Sequence, residues 1–154
     1  MALSWVGYAQ MTTFILVRHA EKDMTQSTND PDLSDEGKAR AVRLSQFLDK
    51  TELTVVYTTP FKRTSQTVEP TAKAKKLEVK TYTANEEKEI YAMLTQHAGG
   101  IVLVAGHSNT IPRFANYLLG YDKFSTFEDG DYGNLLVITV AERGKQVQVT
   151  WLTY

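Results

Sequence analysis

A chain of 154 residues with 42% hydrophobic and 23% charged side chains is long enough for one domain with a packed core and leaves no room for a second. Its formal net charge of −1 excludes a nucleic-acid binder held by bulk positive charge, and its lack of cysteine excludes disulfides and thiolate zinc sites.

Residues 1–10, MALSWVGYAQ, are apolar, but no Lys or Arg precedes the apolar run and it is far too short to cross a bilayer. Residues 1–12 therefore read as an N-terminal extension, with Met11 as an alternative start, ahead of a single catalytic domain over 13–154. A cytoplasmic location is expected, or an exported one if residues 1–10 are the remnant of a leader; no membrane or nucleic-acid partner is expected.

Phe14-Ile15-Leu16-Val17 is a short apolar run suited to a strand covered on both faces. Ser34 reads as an N-cap, Asp35 and Glu36 as first-turn acids, and Ala41, Leu44, Phe47 and Leu48 as the buried stripe of a helix of about four turns. Leu53 to Thr58 forms the next strand. Pro60 breaks it, and a helix interrupted near Pro70 follows. Leu77 to Tyr82 alternates like a short edge strand, and Glu86 to His97 places Ile90, Met93, Leu94 and His97 on one helical face. Ile101 to Ala105 is a buried strand, followed by a helix with Pro112 in its first turn and Gly120 past its end. Leu135 to Val140 and Gln146 to Trp151, joined by Glu142-Arg143-Gly144-Lys145, pattern as an antiparallel hairpin. Alternating strands and helices followed by a hairpin specify an α/β fold: a three-layer α/β/α sandwich on a mostly parallel open sheet with an antiparallel C-terminal hairpin.

Open sheets of this kind place their sites at the C-terminal ends of strands, and three such ends here carry reactive side chains. Arg18 and His19 follow the first strand, where a neutral imidazole can attack phosphorus while a guanidinium forks onto two phosphate oxygens. Arg63 opens the helix after the second strand, an end whose dipole disfavours a cation unless an anion lies nearby. Gly106, His107 and Ser108 follow the fourth, with the amides of the next helix facing the same way. Each feature alone is ordinary; their recurrence at successive strand ends points to one phosphate site.

LVRHAEK, LSDEGKARA, TPFKRTSQT and VAGHSN occur in that order between residues 14 and about 110. Together they resemble the signatures of the histidine phosphatase, or phosphoglycerate-mutase-like, superfamily in its short bacterial phosphohistidine-phosphatase-like branch. The resemblance implies His19 as phosphoryl acceptor and Arg18, Arg63 and His107 as the phosphate pocket. Ser108 is expected beside them in substrate binding, and no cofactor or metal is expected because the arginines supply the charge a divalent cation would. Ala20 stands where the family has Gly, a small-for-small change. The family's general acid falls in the stretch TYTANEEKEIYAML, where Glu86 or Glu87 fills that role or merely stabilises a helix start.

The expected chemistry is metal-independent hydrolysis of a phosphomonoester or phosphohistidine, on a small molecule or a protein, through a phosphohistidine on His19. Three other readings compete. A phosphoglycerate-mutase-like phosphotransferase would need a more enclosing insert. A non-catalytic phosphate-recognition module would use the same pocket. A metal site on His19 and His107 would place a cation beside two arginines. His97 reads as a packed or capping histidine, Glu21 as the partner of Lys22, Arg18 or a helix, and Asp129, Asp131 and Asn134 as a polar turn that could border the pocket.

Overall fold

The computed structural model describes residues 10–154, so the reading of residues 1–9 as an extension or leader remnant lies outside the described residues. The chain runs β1 (Thr12–Arg18), α1 (Asp35–Phe47), β2 (Val55–Thr58), α2 (Lys62–Lys75), β3 (Val79–Thr81), α3 (Glu87–Gln96), β4 (Ile101–Gly106), α4 (Thr110–Leu119), β5 (Asn134–Glu142) and β6 (Gln146–Thr153). β1 already includes Thr12, inside the stretch expected as extension.

The strands form one sheet in the order β3-β2-β4-β1-β5-β6. β3, β2, β4 and β1 are mutually parallel, and β5 and β6 add an antiparallel hairpin at the β1 side. β1 and β4 are nearly continuous apolar runs because helices cover both of their faces. One face packs Phe14, Leu16, Val102 and Val104 against α3 and α4 through Ile90, Met93, Phe114 and Leu118. The other packs Ile15, Val17, Leu103 and Ala105 against α1 and α2 through Leu44, Val68 and Ala72. Burying each such side chain contributes about 1.5–3 kcal/mol, so the two cores set the sheet centre, and with it the strand ends, as the stiffest part of the molecule.

Local signals end the helices where chemistry demands it. The Ser34 hydroxyl accepts from the Gly37 amide as α1 begins, and Gly120 closes α4 with a left-handed φ of 81°. A Cβ at Gly37 would lie 2.1 Å from the Glu21 carbonyl oxygen, so only glycine lets the first turn of α1 pack on the loop leaving β1. The interruption expected near Pro70 does not occur: α2 runs through it, losing one backbone bond but keeping Thr67, Val68, Thr71 and Ala72 buried around it.

Candidate active site

Arg18 ends β1, His19 follows it, Arg63 lies in the first turn of α2, and His107 and Ser108 join β4 to α4. The parallel pairing of β1 with β4, Arg18 opposite Gly106, brings the first and last of these segments side by side. The rings of His19 and His107 stand edge to face with centroids 5.4 Å apart. Arg18, His19, Arg63, His107 and Ser108 line one open pocket of about 410 Å³. That is a volume suited to a small ligand or a side chain.

His19 is fixed in one orientation. Its backbone amide donates to the Gly106 carbonyl, and Nδ1 lies 2.8 Å from the Ala20 carbonyl oxygen. A carbonyl can only accept, so Nδ1 carries the proton and Nε2 keeps its lone pair. Burial pushes the ring down to about 3 against the opposing Ala20 hydrogen bond, with repulsion between the two imidazoles and from the Arg63 and Arg18 charges adding to it, which keeps the ring neutral. His107 is pushed down to about 4, again by burial first and then by Arg63 and Arg18, with Asp30 opposing. Its Nε2 lies 2.9 Å from the Thr59 hydroxyl oxygen.

Arg18 is held by carbonyls rather than by a carboxylate. Nη1 donates to Glu128 O at 2.8 Å and Asp131 O at 3.1 Å, and Nη2 donates to Asp129 O at 3.1 Å. Those three bonds leave Nε–H and one Nη2–H, the side-on fork that matches two phosphate oxygens, and Nε is buried without a partner. Neutral acceptors orient the guanidinium without cancelling its charge. Tyr132 covers its face, with the guanidinium carbon 4.1 Å from the ring centroid.

Arg63 is built differently. Its Nη1 contacts Asp30 Oδ1 at 3.4 Å, its plane lies 4.4 Å over the Phe61 ring, and its Nε is also buried and unpartnered. The Asp30 carboxylate also accepts from the Lys62 amide at 3.0 Å, capping α2 from a distant loop where Phe61 offers no capping side chain. Thr67 ties α2 to the loop leaving β1, because its hydroxyl accepts from the Ala20 amide at 2.9 Å. Ala20 is fully buried there.

Glu86 and Glu87 stand apart from this pocket. Glu86 is the N-cap residue of α3 and pairs with Lys88 at 3.5 Å, and Glu87 lines a separate cavity of about 40 Å³ with Tyr82, Ile90 and Phe114. The segment joining β3 to α3 is short, and Tyr82 turns inward beneath Gly106, where a Cβ would meet its hydroxyl at 3.0 Å. Among the residues lining the His19 pocket, the acidic one is Asp129, beside the basic Lys22. Asp129 and Asp131 belong to the turn that grips Arg18, whereas Asn134 starts β5 and accepts from Trp151 Nε1 at 2.7 Å. Glu21 pairs with a helix residue, Arg40 of α1; burial would raise its carboxyl, but the Arg40 hydrogen bonds hold it below the usual range. His97 caps α3 and meets the Tyr57 hydroxyl at 2.9 Å. Among the described residues no three His, Asp or Glu side chains gather at metal-binding distance, and no helix is long and apolar enough to cross a membrane.

Tyr132, Phe61, Thr59 and Asp30 complete the site although sequence reasoning did not single them out. Only Phe61 and Thr59 carried a usable signal, as neighbours of Arg63 in TPFKRTSQT.

Comparison with known proteins matches residues 14–91 to the histidine phosphatase superfamily (branch 1). Phosphoserine phosphatase 1 of Hydrogenobacter thermophilus is 46% identical over 74 residues, 45% of this chain and 35% of that protein, so the match spans about a third of the relative's length. Among solved structures, the protein histidine phosphatase SixA complexed with tungstate superposes with a TM-score of 0.75 at 15% identity, over 92% of this chain and 96% of that one. A phosphoserine phosphatase variant from Entamoeba histolytica bound to phosphoserine gives a TM-score of 0.71 at 15% identity, over 90% and 95% of the two chains. A mycobacterial glucosyl-3-phosphoglycerate phosphatase gives 0.70 at 11% identity, over 94% and 98%. At these identities the structural likeness is one of fold.

Proposed function

The chain belongs to the histidine phosphatase superfamily, branch 1, and from that premise we propose that it hydrolyses phosphomonoesters or phosphohistidine through a phosphoryl group carried on Nε2 of His19. The observation that carries the reading is the bond from Nδ1 to the Ala20 carbonyl, which leaves Nε2 as the free, unprotonated nitrogen of a neutral ring.

A phosphate dianion enters over His19, with the Arg18 and Arg63 guanidinium groups and the His107 ring around its oxygens. As charge develops on those equatorial oxygens, donors already held in place by the Glu128, Asp129 and Asp131 carbonyls stabilise it without reorganising. Nε2 attacks phosphorus in line, the bond to the leaving group breaks, and its electron pair departs with that group. Water then attacks phosphorus, the P–Nε2 bond breaks with its electron pair returning to the ring, and the protons of that water pass to the departed group's oxygen or nitrogen and to the inorganic phosphate released. Two guanidinium groups supply the charge that a divalent cation supplies in other phosphoryl-transfer sites, so turnover is expected to persist in the presence of a chelator.

The test is a rapid-quench single turnover with a phosphate-labelled substrate. The native protein is expected to show a transient acid-labile, base-stable adduct, and His19→Ala neither adduct nor turnover. Near-normal hydrolysis of p-nitrophenyl phosphate by His19→Ala would overturn the reading. If the native protein binds phosphate but forms no adduct and releases none, the pocket is a recognition module.

A further inference from the structure

The His107 ring meets a pair of threonine hydroxyls that no step of the phosphoryl transfer uses. Its Nε2 lies 2.9 Å from the Thr59 hydroxyl oxygen, which lies 3.1 Å from that of Thr64. Both threonines are buried, at 1% and 0% exposure, so water does not compete for these contacts. The Thr64 hydroxyl oxygen also lies 2.9 Å from the Thr59 carbonyl oxygen and 2.8 Å from that of Phe61.

One proton per hydroxyl decides the roles along this chain. A carbonyl can only accept, and oxygens this close with no hydrogen between them repel, so the Thr64 proton points at the two carbonyls. Thr64 then offers Thr59 only a lone pair, and Thr59 donates to it. With its own proton committed there, Thr59 accepts from His107, and the neutral ring carries its proton on Nε2. His19 is the reverse, with its proton on Nδ1.

A phosphoryl group in the pocket that both residues line therefore meets, in His107, an imidazole whose N–H is already engaged. The nitrogen left for it is Nδ1, which has no hydrogen-bond partner among the described residues and, in the neutral ring, presents a lone pair that repels an anion. We infer that Thr59 and Thr64 are positioning residues for phosphate binding: their hydroxyl relay keeps the His107 proton on Nε2, so His107 holds an anion only once Nδ1 has taken a second proton from solvent. The inference deepens the proposed function and rests on its pocket being the phosphate site. One proton enters with the dianion and returns to solvent when phosphate leaves.

Burial first, then Arg63 of α2 and Arg18 of β1, oppose that uptake, and Asp30 favours it. Neutral His19 stands edge to face with the ring, and Lys22 and Asp129 complete the charged lining of the pocket. With the free ring pushed down to about 4, it is the charge of the anion that draws the proton in.

The experiment uses sulfate, a tetrahedral dianion that does not titrate between pH 5 and pH 7. In the free native protein at pH 7, nitrogen-15 NMR of the His107 ring is expected to show Nε2 protonated and Nδ1 bare, and with saturating sulfate at pH 5 both nitrogens protonated. In His19→Ala, where His107 is the remaining imidazole of the pocket, sulfate binding is expected to weaken about tenfold from pH 5 to pH 6. Adding Thr64→Ala frees the Thr59 proton for Nε2 and lets the neutral ring carry its own on Nδ1. The double variant should then match His19→Ala within about threefold at pH 5 and bind sulfate about tenfold tighter at pH 7, the scale of a hydrogen bond to a charged group. Thr64→Ser in the same background keeps the relay and should bind as His19→Ala does. A native ring with its proton on Nδ1, sulfate affinity in His19→Ala that ignores pH, or a double variant no tighter at pH 7 overturns the inference. Should the double variant fail to fold, the ring spectrum of the native protein decides. Phosphohistidine is read in none of these measurements, so the relay and the nucleophile stand or fall separately.

Discussion

His19 and His107 present their rings edge to face at a centroid distance of 5.4 Å, one from the end of β1 and the other from the end of β4. Both are pushed to the neutral form, chiefly by burial. A second proton in so small a space, beside Arg18 and Arg63, would be repelled from every side.

That relationship makes stability depend on pH. An unfolded histidine takes up its proton near 6.5, whereas folded His19 does so only at about 3. Between those values the unfolded chain holds a proton that the folded chain lacks, so stability is full above pH 6.5 and declines as the pH falls towards 3. The slope from this ring is at most about 1.4 kcal/mol per pH unit. Urea denaturation at pH 7 and pH 5 measures it, and His19→Asn should flatten the difference; an unchanged difference would place the proton uptake elsewhere.

An anion should bring the opposite effect. Phosphate or vanadate satisfies the orphaned Nε groups of Arg18 and Arg63, so binding should raise the melting temperature at neutral pH. At a ligand concentration of a hundred times Kd the gain is about 2.7 kcal/mol. Arg18→Met should abolish the shift, and differential scanning fluorimetry reads it directly.

Arg63→Ala should lower kcat/KM by about two powers of ten, the scale expected for removing one preorganised stabiliser of developing charge. Arg63→Lys should recover little of it, because an ammonium lacks the planar edge that now stacks on Phe61. A loss below threefold in the alanine variant would mark Arg63 as peripheral.

Tyr132 should act through Arg18. Tyr132→Leu removes a face contact worth about 0.5–2 kcal/mol, which converts to roughly a two- to thirtyfold weaker grip on phosphate. Tyr132→Phe keeps the ring and should bind phosphate within about twofold of the native protein. Isothermal titration with inorganic phosphate distinguishes the two; equal weakening would assign the effect to the hydroxyl.

Glu87→Gln should keep kcat within about twofold for alkyl and aryl phosphates alike, since Glu87 faces a cavity shared with Tyr82 and Phe114. A selective loss on alkyl phosphates would show that α3 swings its carboxylate into the pocket during turnover.

Much of this arrangement is legible in the chain because burial leaves strong traces. β1 and β4 are apolar on both faces, Ser34 and Gly120 punctuate helices by their own chemistry, and Arg18, His19, Arg63, His107 and Ser108 occupy strand or helix ends that topology then brings together. What stays hidden is work done by groups every residue shares. The clamp on Arg18 consists of the carbonyls of Glu128, Asp129 and Asp131, and a carbonyl has no letter in a sequence. Asp30 caps α2 across a gap in the chain, so no local spacing announces it. Glu86 and Glu87 illustrate the converse: a carboxylate at a suitable place in the order of motifs need not reach the pocket that the motifs build.

The Asp30 carboxylate joins two structures that have no covalent reason to move together. One oxygen closes the first turn of α2 and also touches the Arg63 guanidinium, while its backbone belongs to the loop between Lys22 and Leu33. Any excursion of that loop must unlatch the helix start and release an arginine in the same stroke. A substrate bulky enough to displace the loop would therefore alter the electrostatic character of the very cleft it is entering.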